Sequence, residues 1–203
     1  MEKAYDRLDW NFIRVCMEKF GFSPVWINCI MECISTITFS VLINGCPGDV
    51  FKPTRGIRQG DPLSPYLFIL CAEVLARLIQ SASDSPKNPL GIRISRLNDK
   101  IPFITFADDT LIFTKATDEG CTKIKDILDK YYQFSRQKVN FHKSSFQCTR
   151  NITPARKIHF QGLPGMQEAA TLSHYLGCPI IDGKITGQTF ANIVTNTRNI
   201  LSQ

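Results

Sequence analysis

Two adjacent acidic residues, Asp108 and Asp109, stand between two runs of β-branched and aromatic residues. Residues 101–106 precede them and residues 110–114 follow, and both compositions are typical of strands. The sequence therefore predicts a β-hairpin that carries two carboxylates at its tip. A solvated turn is one interpretation, because Asp favours turns. The alternative is a metal site, because Mg²⁺ prefers oxygen ligands and binds together with substrate phosphates.

Composition limits the class of protein. The chain has 203 residues, of which 43% are hydrophobic and 21% charged, enough for one sizeable core. A net charge of +6 fits a polyanionic partner without requiring one. The sequence starts Met1-Glu2-Lys3 with no apolar secretory segment, and no apolar run reaches the length of a membrane span. We therefore expect a nuclear or cytoplasmic protein that is not secreted and does not bind a membrane.

The eight cysteines are scattered, with no C-x-x-C pair, and the chain has only three histidines. Zinc sites need tighter spacing of ligands, so a zinc protein is not favoured. We interpret the cysteines as reduced thiols. Cys29 and Cys33 have helical spacing and are predicted to lie in the core.

Hydrophobic periodicity predicts the order α, α, β, α, β, β, β, α, β, β, α. This order indicates an α+β domain, a sheet with helices on one face. Residues 45–49 are predicted to form a turn because they contain Gly and Pro. The predicted helices begin at Trp10, at Pro24 with Ser23 as its N-cap, at Asp61, at Asp118 and at about Gln188. The predicted strands outside the hairpin cover 36–44, 91–95, a stretch through Cys148 and 175–181.

A basic, glycine-punctuated loop covers residues 51–60 and contains Lys52, Arg55 and Arg58. It leads into a predicted helix, whose N-terminal N–H groups and dipole suit a phosphate or nucleotide. An ordinary capped helix fits the same pattern equally well. Further along, Lys143 by itself indicates only a surface lysine.

Five motifs occur in the order KAYDRLDW, RGIRQGDPLSPYLFIL, FADDTLIF, NFHKS and YLGCPI. Together they resemble the reverse transcriptase domain of non-LTR (LINE-type) retrotransposons, particularly the plant-type elements. The resemblance covers essentially the whole chain, and RQGDPLSP followed by FADD is highly specific. It implies a right-hand polymerase palm over residues 1–170, followed by a primer-grip strand and the start of a thumb over 171–203. The implied reaction is transfer of deoxynucleotides from dNTPs to a DNA primer 3′-hydroxyl on an RNA template.

The resemblance also implies roles for individual residues. Asp108 and Asp109 correspond to the catalytic ligands of Mg²⁺, or of Mn²⁺, with Asp108 the firmer ligand. Lys143 corresponds to a residue near the pyrophosphate that supplies a proton or positive charge. Tyr5 falls where the family has the aromatic residue that blocks a ribose 2′-hydroxyl. The nucleotide and template contacts implied are Tyr5, Arg58, Gln59 and Gly60, and the implied primer grip is Tyr175, Leu176 and Gly177.

One departure from the family pattern concerns the third catalytic carboxylate, which aligns one position before Met1. The fingers would also precede that position, so the sequence resembles a truncated domain. We expect the first residues to pack poorly, the hairpin to leave backbone donors unpaired, and the isolated chain to lack reverse transcription. Weak, salt-sensitive binding to nucleic acid should remain. A catalytically dead nucleic-acid-binding domain or a pseudogene product remains an alternative, and no protein partner can be inferred.

Overall fold

A computed structural model describes residues 1–84, 90–93, 95, 99–149, 151–161, 166–169 and 187–202. The chain forms two compact units, Met1–Val139 and Asn140–Gln203. Both mix helices and strands, in agreement with the predicted α+β class. The predicted domain division at residue 170 stays a prediction, because residues 170–186 lie outside the described part of the chain.

The helices of the first unit follow local signals in the sequence. The Asp9 carboxylate accepts a hydrogen bond from the N–H of Phe12, and the Ser23 hydroxyl accepts one from Trp26. Such side-chain caps satisfy N–H groups that have no partner within a helix. The described helices of this unit are α1 (Ala4–Arg7), α2 (Trp10–Lys19), α3 (Pro24–Ser35), α4 (Ser64–Asp84) and α5 (Asp118–Ser135).

Helix α4 begins later than predicted. The Asp61 carboxylate accepts a hydrogen bond from the N–H of Leu63 at 2.8 Å, which forms a turn ahead of the helix. The helix itself starts at Ser64. Its length and composition are also those of a membrane span, contrary to the sequence prediction. However, the core helix of a soluble protein passes the same test, and α4 contributes Phe68, Cys71 and Ile79 to the core of this unit.

Helices α2, α4 and α5 pack together around the core. Burial of apolar side chains supplies most of the stabilisation of such a unit. The prediction for Cys29 and Cys33 is wrong: both are exposed, because α3 presents its other face to the core. The largest fully buried side chains include Leu8, Ile13, Met17, Ile79 and Tyr131.

The strands form three separate two-stranded sheets within the described residues. The single antiparallel sheet predicted for a palm is therefore not observed in this part of the chain. The predicted turn at 45–49 is correct only at Gly45, because the turn lies at Asn44 and Gly45, where φ is 51° and 82°, and residues 46–49 belong to a strand. The antiparallel pairs are β1 (Phe39–Ile43) with β2 (Cys46–Phe51) and β3 (Phe103–Phe106) with β4 (Asp109–Ile112), and the parallel pair, in the second unit, is β5 (Ser145–Phe146) with β6 (Gln167–Glu168).

The first residues of the sequence are held firmly, contrary to expectation. The N–H of Glu2 donates to the carbonyl of Lys138 at 2.8 Å, and Ala4 is buried. Outward-facing hairpin side chains are nevertheless exposed, with Ile104 at 43% and Phe106 at 61%. The hairpin thus presents apolar surface even though the preceding segment is well packed.

The second unit is described in part. A 3₁₀ turn covers Phe141–Lys143, and helix α7 (Ala191–Leu201) confirms the predicted final helix. Helix α6 (Pro154–Gln161) and strand β6 were not predicted. The predicted strand at 175–181 lies outside the described residues.

Candidate active site

The hairpin places its two acidic residues at different positions of a tight turn. Phe106 pairs with Asp109, so Ala107 and Asp108 form the turn and Asp109 begins β4. Ala107 has φ 50°, a left-handed conformation that costs a residue with a β-carbon roughly 1–2 kcal/mol. Strained backbone of this kind occurs often at functional sites, where the surrounding structure maintains it. The left-handed Ala107 thus completes a two-residue turn that places Asp108 at the tip of the hairpin.

The carboxylate of Asp108 is accessible at the turn. Its Oδ2 lies 3.8 Å from the amino nitrogen of Met1, and its side chain is 51% exposed. The same amino group donates to the carbonyl oxygen of Asp108 at 3.2 Å. An accessible carboxylate in this position can accept a cation without a large desolvation cost.

A cavity of about 120 Å³ lies beside the hairpin. Glu73 and Asp108 are the two acidic residues in its lining. The Glu73 carboxylate is paired with the guanidinium of Arg77 at 3.0 Å. The other lining residues come from Met1, the hairpin, α4, α5 and the segment after α5, and include Phe68, Ala72, Thr105, Tyr131 and Gln137.

The tip offers two exposed carboxylates to a divalent metal ion. Mg²⁺ is usually held by one or two carboxylates, with water and substrate phosphates as its remaining ligands. Asp108 and Asp109 are exposed and offer such oxygens. Within the described ranges, no group of three or more acidic, histidine or cysteine residues is placed to hold a metal. The two carboxylates would therefore hold a metal that is completed by substrate oxygens.

Tyr5 lies on helix α1, which is tied to the rest of the unit. Its ring stacks on Phe68 with centroids 5.2 Å apart. Phe68 also lines the cavity beside Asp108, so one buried ring touches both features. The carbonyl of Tyr5 accepts a hydrogen bond from Ile57 at 2.9 Å, and the carbonyl of Ala4 accepts one from the Gln137 side chain at 2.9 Å.

The basic loop passes directly over α1. The N–H of Gly56 donates to the carbonyl of Leu8 at 2.8 Å, and the Gly56 carbonyl accepts from the Trp10 indole at 2.6 Å. Ile57 is buried, which anchors the loop in the core. Three residues with predicted nucleotide and template contacts follow and are exposed: Arg58, Gln59 and Gly60. The structure therefore brings Tyr5 and this loop together.

The remaining predicted site residues belong to the second unit or are not described. Lys143 ends the 3₁₀ turn, its backbone N–H donates to the Asn140 side chain at 3.2 Å, and it is exposed. Tyr175, Leu176 and Gly177 lie outside the described residues. Their proposed roles stay predictions.

Sequence reasoning missed three residues that support this region. The sequence indicates Trp10 only as the start of a helix, yet its indole N–H donates to the carbonyl of Gly56 in the loop. Phe68 was not singled out, although it supports Tyr5. Gln137 is only 2% exposed and joins α5 to α1 through the hydroxyl of Tyr131 and the carbonyl of Ala4. No local signal marks a glutamine as buried.

Burial dominates the protonation behaviour of Tyr131, a core residue in the lining of the cavity. It raises the pKa of the Tyr131 phenol far above its ordinary value, and the neighbouring thiols of Cys71 and Cys16 act in the same direction. The Tyr131 hydroxyl therefore stays protonated and donates to the carbonyl of Cys71 at 3.2 Å and to Gln137 at 3.3 Å.

Comparison with known proteins identifies the family. Residues 1–180 match the family described as reverse transcriptase (RNA-dependent DNA polymerase). The chain belongs to the reverse transcriptase family. This match confirms the resemblance drawn from the five motifs, and places Asp108 and Asp109 within a polymerase domain.

The relatives include retrotransposon proteins. The chain is 32% identical over 115 residues to a retrovirus-related Pol polyprotein from the R2 retrotransposable element of Popillia japonica, covering 55% of this chain and 15% of that protein. It is 24% identical over 144 residues to a 149 kDa protein of the transposon TX1 of Xenopus laevis, covering 71% of this chain and 10% of that protein. An uncharacterised mitochondrial protein of Arabidopsis thaliana is 54% identical over 69 residues, which are 34% of this chain and 56% of that protein. The matching segments thus span between a tenth and just over half of these relatives.

Proposed function

We propose that this chain carries the polymerase chemistry of a non-LTR retroelement. In that role it transfers deoxynucleotides from dNTPs to the 3′-hydroxyl of a DNA primer on an RNA template. The observation that carries the proposal is the tight hairpin with Asp108 at its exposed tip and Asp109 beside it. Membership of the reverse transcriptase family and similarity to R2 and TX1 proteins support it.

Asp108 and Asp109 are the proposed ligands of Mg²⁺, with Mn²⁺ as a substitute. When bound, the metal supplies positive charge against the phosphate oxygens of the substrate. Asp108 is the stronger candidate because it stands at the turn, where its side chain is 51% exposed. Asp109 begins β4, where the paired strand fixes its backbone.

The other roles concern nucleotide and primer. Tyr5 is the proposed gate against a ribose 2′-hydroxyl, held in place by its stacking on Phe68. Arg58, Gln59 and Gly60 are the exposed last residues of the basic loop that crosses α1, where they can contact a nucleotide and the template strand. For Lys143 the proposed role is charge near the pyrophosphate, and for residues 175–177 it is the primer grip.

The proposed site of action is the nucleus or cytoplasm. The described cysteines are free thiols, as expected in a reducing compartment. An exposed basic loop with Lys52, Arg55 and Arg58 supports contact with RNA and DNA. No protein partner is proposed.

Efficient transfer should need one more carboxylate than the described residues bring to the tip. Two-metal chemistry requires bridging carboxylates that hold two cations roughly 4 Å apart, and the described ranges contain no third acidic residue placed to join Asp108 and Asp109. We propose that the 203-residue chain alone holds one metal well and has no measurable reverse transcription. Its binding to nucleic acid should persist.

Primer extension on a primed RNA template tests this proposal. The chain is compared with a chimera that adds, before Met1, the residues that precede the matching segment of the R2 polyprotein. The chimera should extend the primer with Mg²⁺ and lose that activity with Asp108→Asn. A folded chimera without activity would contradict the function. Robust extension by the unextended chain would show that Glu2, Asp6 or Asp9 supplies the third carboxylate.

A further inference from the structure

The side chain of Trp10 links two segments that are distant in sequence. It is the first residue of α2, and its indole Nε1 donates to the carbonyl oxygen of Gly56 at 2.6 Å. Gly56 belongs to the loop that continues into Arg58 and Gln59. The indole therefore holds the start of the proposed nucleotide-contacting loop.

Two backbone hydrogen bonds hold the same loop against the turn that carries Tyr5. Gly56 donates to the carbonyl of Leu8 at 2.8 Å, and Ile57 donates to the carbonyl of Tyr5 at 2.9 Å. The approach is too close for any side chain at residue 56. A β-carbon on Gly56 would lie 2.7 Å from the carbonyl oxygen of Asp6, and φ there is +88°. Loop and turn are thus packed backbone to backbone.

We propose that Trp10 is a positioning residue for nucleotide selection. By holding the loop on the α1 turn, it fixes the distance between the Tyr5 ring and the backbone at Arg58 and Gln59. This inference rests on the proposed function, because it takes Tyr5 as the gate against a 2′-hydroxyl. A gate that works by exclusion depends on a fixed separation from the groups that hold the nucleotide. A displacement of about 1 Å is enough to change such a site.

The effect of the indole N–H can be separated from the effect of the ring. Trp10→Phe removes the donor and part of the ring, whereas replacement of Trp10 by the isostere 3-benzothienylalanine removes the donor alone. A neutral hydrogen bond contributes about 1 kcal/mol, which corresponds to roughly a fivefold change in an equilibrium constant. Trp26 is 53% exposed and provides the matched control for each substitution.

Hydrogen exchange of the full chain tests the coupling independently of any nucleotide. With the isostere at Trp10, the amides of Gly56 and Ile57 should exchange about fivefold faster. The same replacement at Trp26 should leave both amides unchanged, and both variants should retain the far-UV circular dichroism of the parent. Unchanged exchange at Gly56 and Ile57 in the Trp10 variant would overturn the proposal.

Nucleotide binding then tests selection. Affinities for dGTP and GTP are measured by equilibrium titration in the presence of primer, template and Mg²⁺. The Trp10 variants should lower the ratio of dGTP to GTP affinity about fivefold, mainly by tighter GTP binding, whereas the Trp26 variants should keep it. An unchanged ratio together with faster amide exchange would overturn the role in selection. If the parent chain bound neither nucleotide, the proposed function and the selection role would both fail, and the exchange result would still decide whether Trp10 holds the loop.

Discussion

The phenol ring of Tyr5 lies nearly parallel to the ring of Phe68, with centroids 5.2 Å apart and an interplanar angle of 9°. Phe68 is 3% exposed, so helix α4 holds it rigidly in the core. The same ring lines the cavity beside Asp108. Phe68 therefore contacts both Tyr5 and the cavity beside Asp108, and it determines the plane of the Tyr5 ring.

Substitution Phe68→Leu should weaken the first unit. Loss of the stacking between Tyr5 and Phe68 lowers the free energy of unfolding by about 0.5–1.5 kcal/mol. Leucine also fills the space of the phenyl ring imperfectly, which lowers it further. The free energy of unfolding, measured in urea, should fall by about 1–2 kcal/mol. Phe134→Leu is the control because Phe134 is 60% exposed on α5. Equal effects of the two substitutions would contradict the packing role of Phe68.

Gln137 provides a second test of how α1 is held. Gln137→Leu keeps a similar volume but leaves the carbonyl of Ala4 without its donor at 2.9 Å. A buried polar group without a partner costs about 1–3 kcal/mol, and we expect the free energy of unfolding to fall by that amount. Gln133→Leu, at an exposed position of α5, should change it by less than about 0.5 kcal/mol. Chemical denaturation followed by circular dichroism measures both variants. An unchanged free energy of unfolding in Gln137→Leu would show that the hydrogen bonds of Gln137 do not hold α1.

The turn at Ala107 carries strain that glycine would relieve. Ala107→Gly removes the β-carbon from a left-handed conformation, at the cost of greater freedom in the unfolded chain. The balance should leave the free energy of unfolding unchanged or raise it by up to about 1 kcal/mol. Ala82→Gly, inside α4, should lower it by about 1 kcal/mol. Thermal melts compare the two variants with the parent. An equal loss of stability in Ala107→Gly and Ala82→Gly would show that Ala107 is unstrained.

The basic loop should dominate binding to nucleic acid. Arg55 and Arg58 are exposed, and each phosphate contact contributes about 0.7 to the slope of log affinity against log salt on single strands. The double substitution of both to Gln should weaken RNA binding and lower that slope by about 1.4. The same change at Lys125 and Lys130 on α5 should have a smaller effect, as measured by fluorescence anisotropy across a salt series. Equal effects would mean that only net charge matters.

Helix positions could be predicted from sequence because their signals are local. Ser23 caps α3 as expected, and helical periodicity locates α2 and α5. The predicted turn at 45–49 is wrong beyond Gly45, because the proline and glycine that indicate a turn lie in a strand. Pro47 and Gly48 belong to β2, whose residues are all exposed. A strand at the edge of a two-stranded hairpin tolerates both residues, because no further strand needs their hydrogen bonds.

The acidic hairpin was recognisable because both its strands and its turn are contiguous in sequence. The contacts that hold α1 and the basic loop near the hairpin could not be recognised, because they join residues that are far apart in sequence. Gln137 and Ala4 are 133 positions apart, and Trp10 and Gly56 are 46 apart. Periodicity carries no information about such pairs. Helical spacing alone also does not place Cys29 and Cys33 in the core, because residues on every face of a helix share that spacing.

Binding of Mn²⁺, followed by electron paramagnetic resonance, tests the central claim most directly. If the hairpin tip is the metal site of this reverse transcriptase domain, the chain should bind one ion in competition with Mg²⁺. Asp108→Asn should abolish that binding, whereas Asp126→Asn, at an exposed position of α5, should preserve it. Binding by Asp108→Asn with the affinity of the parent chain would contradict the account.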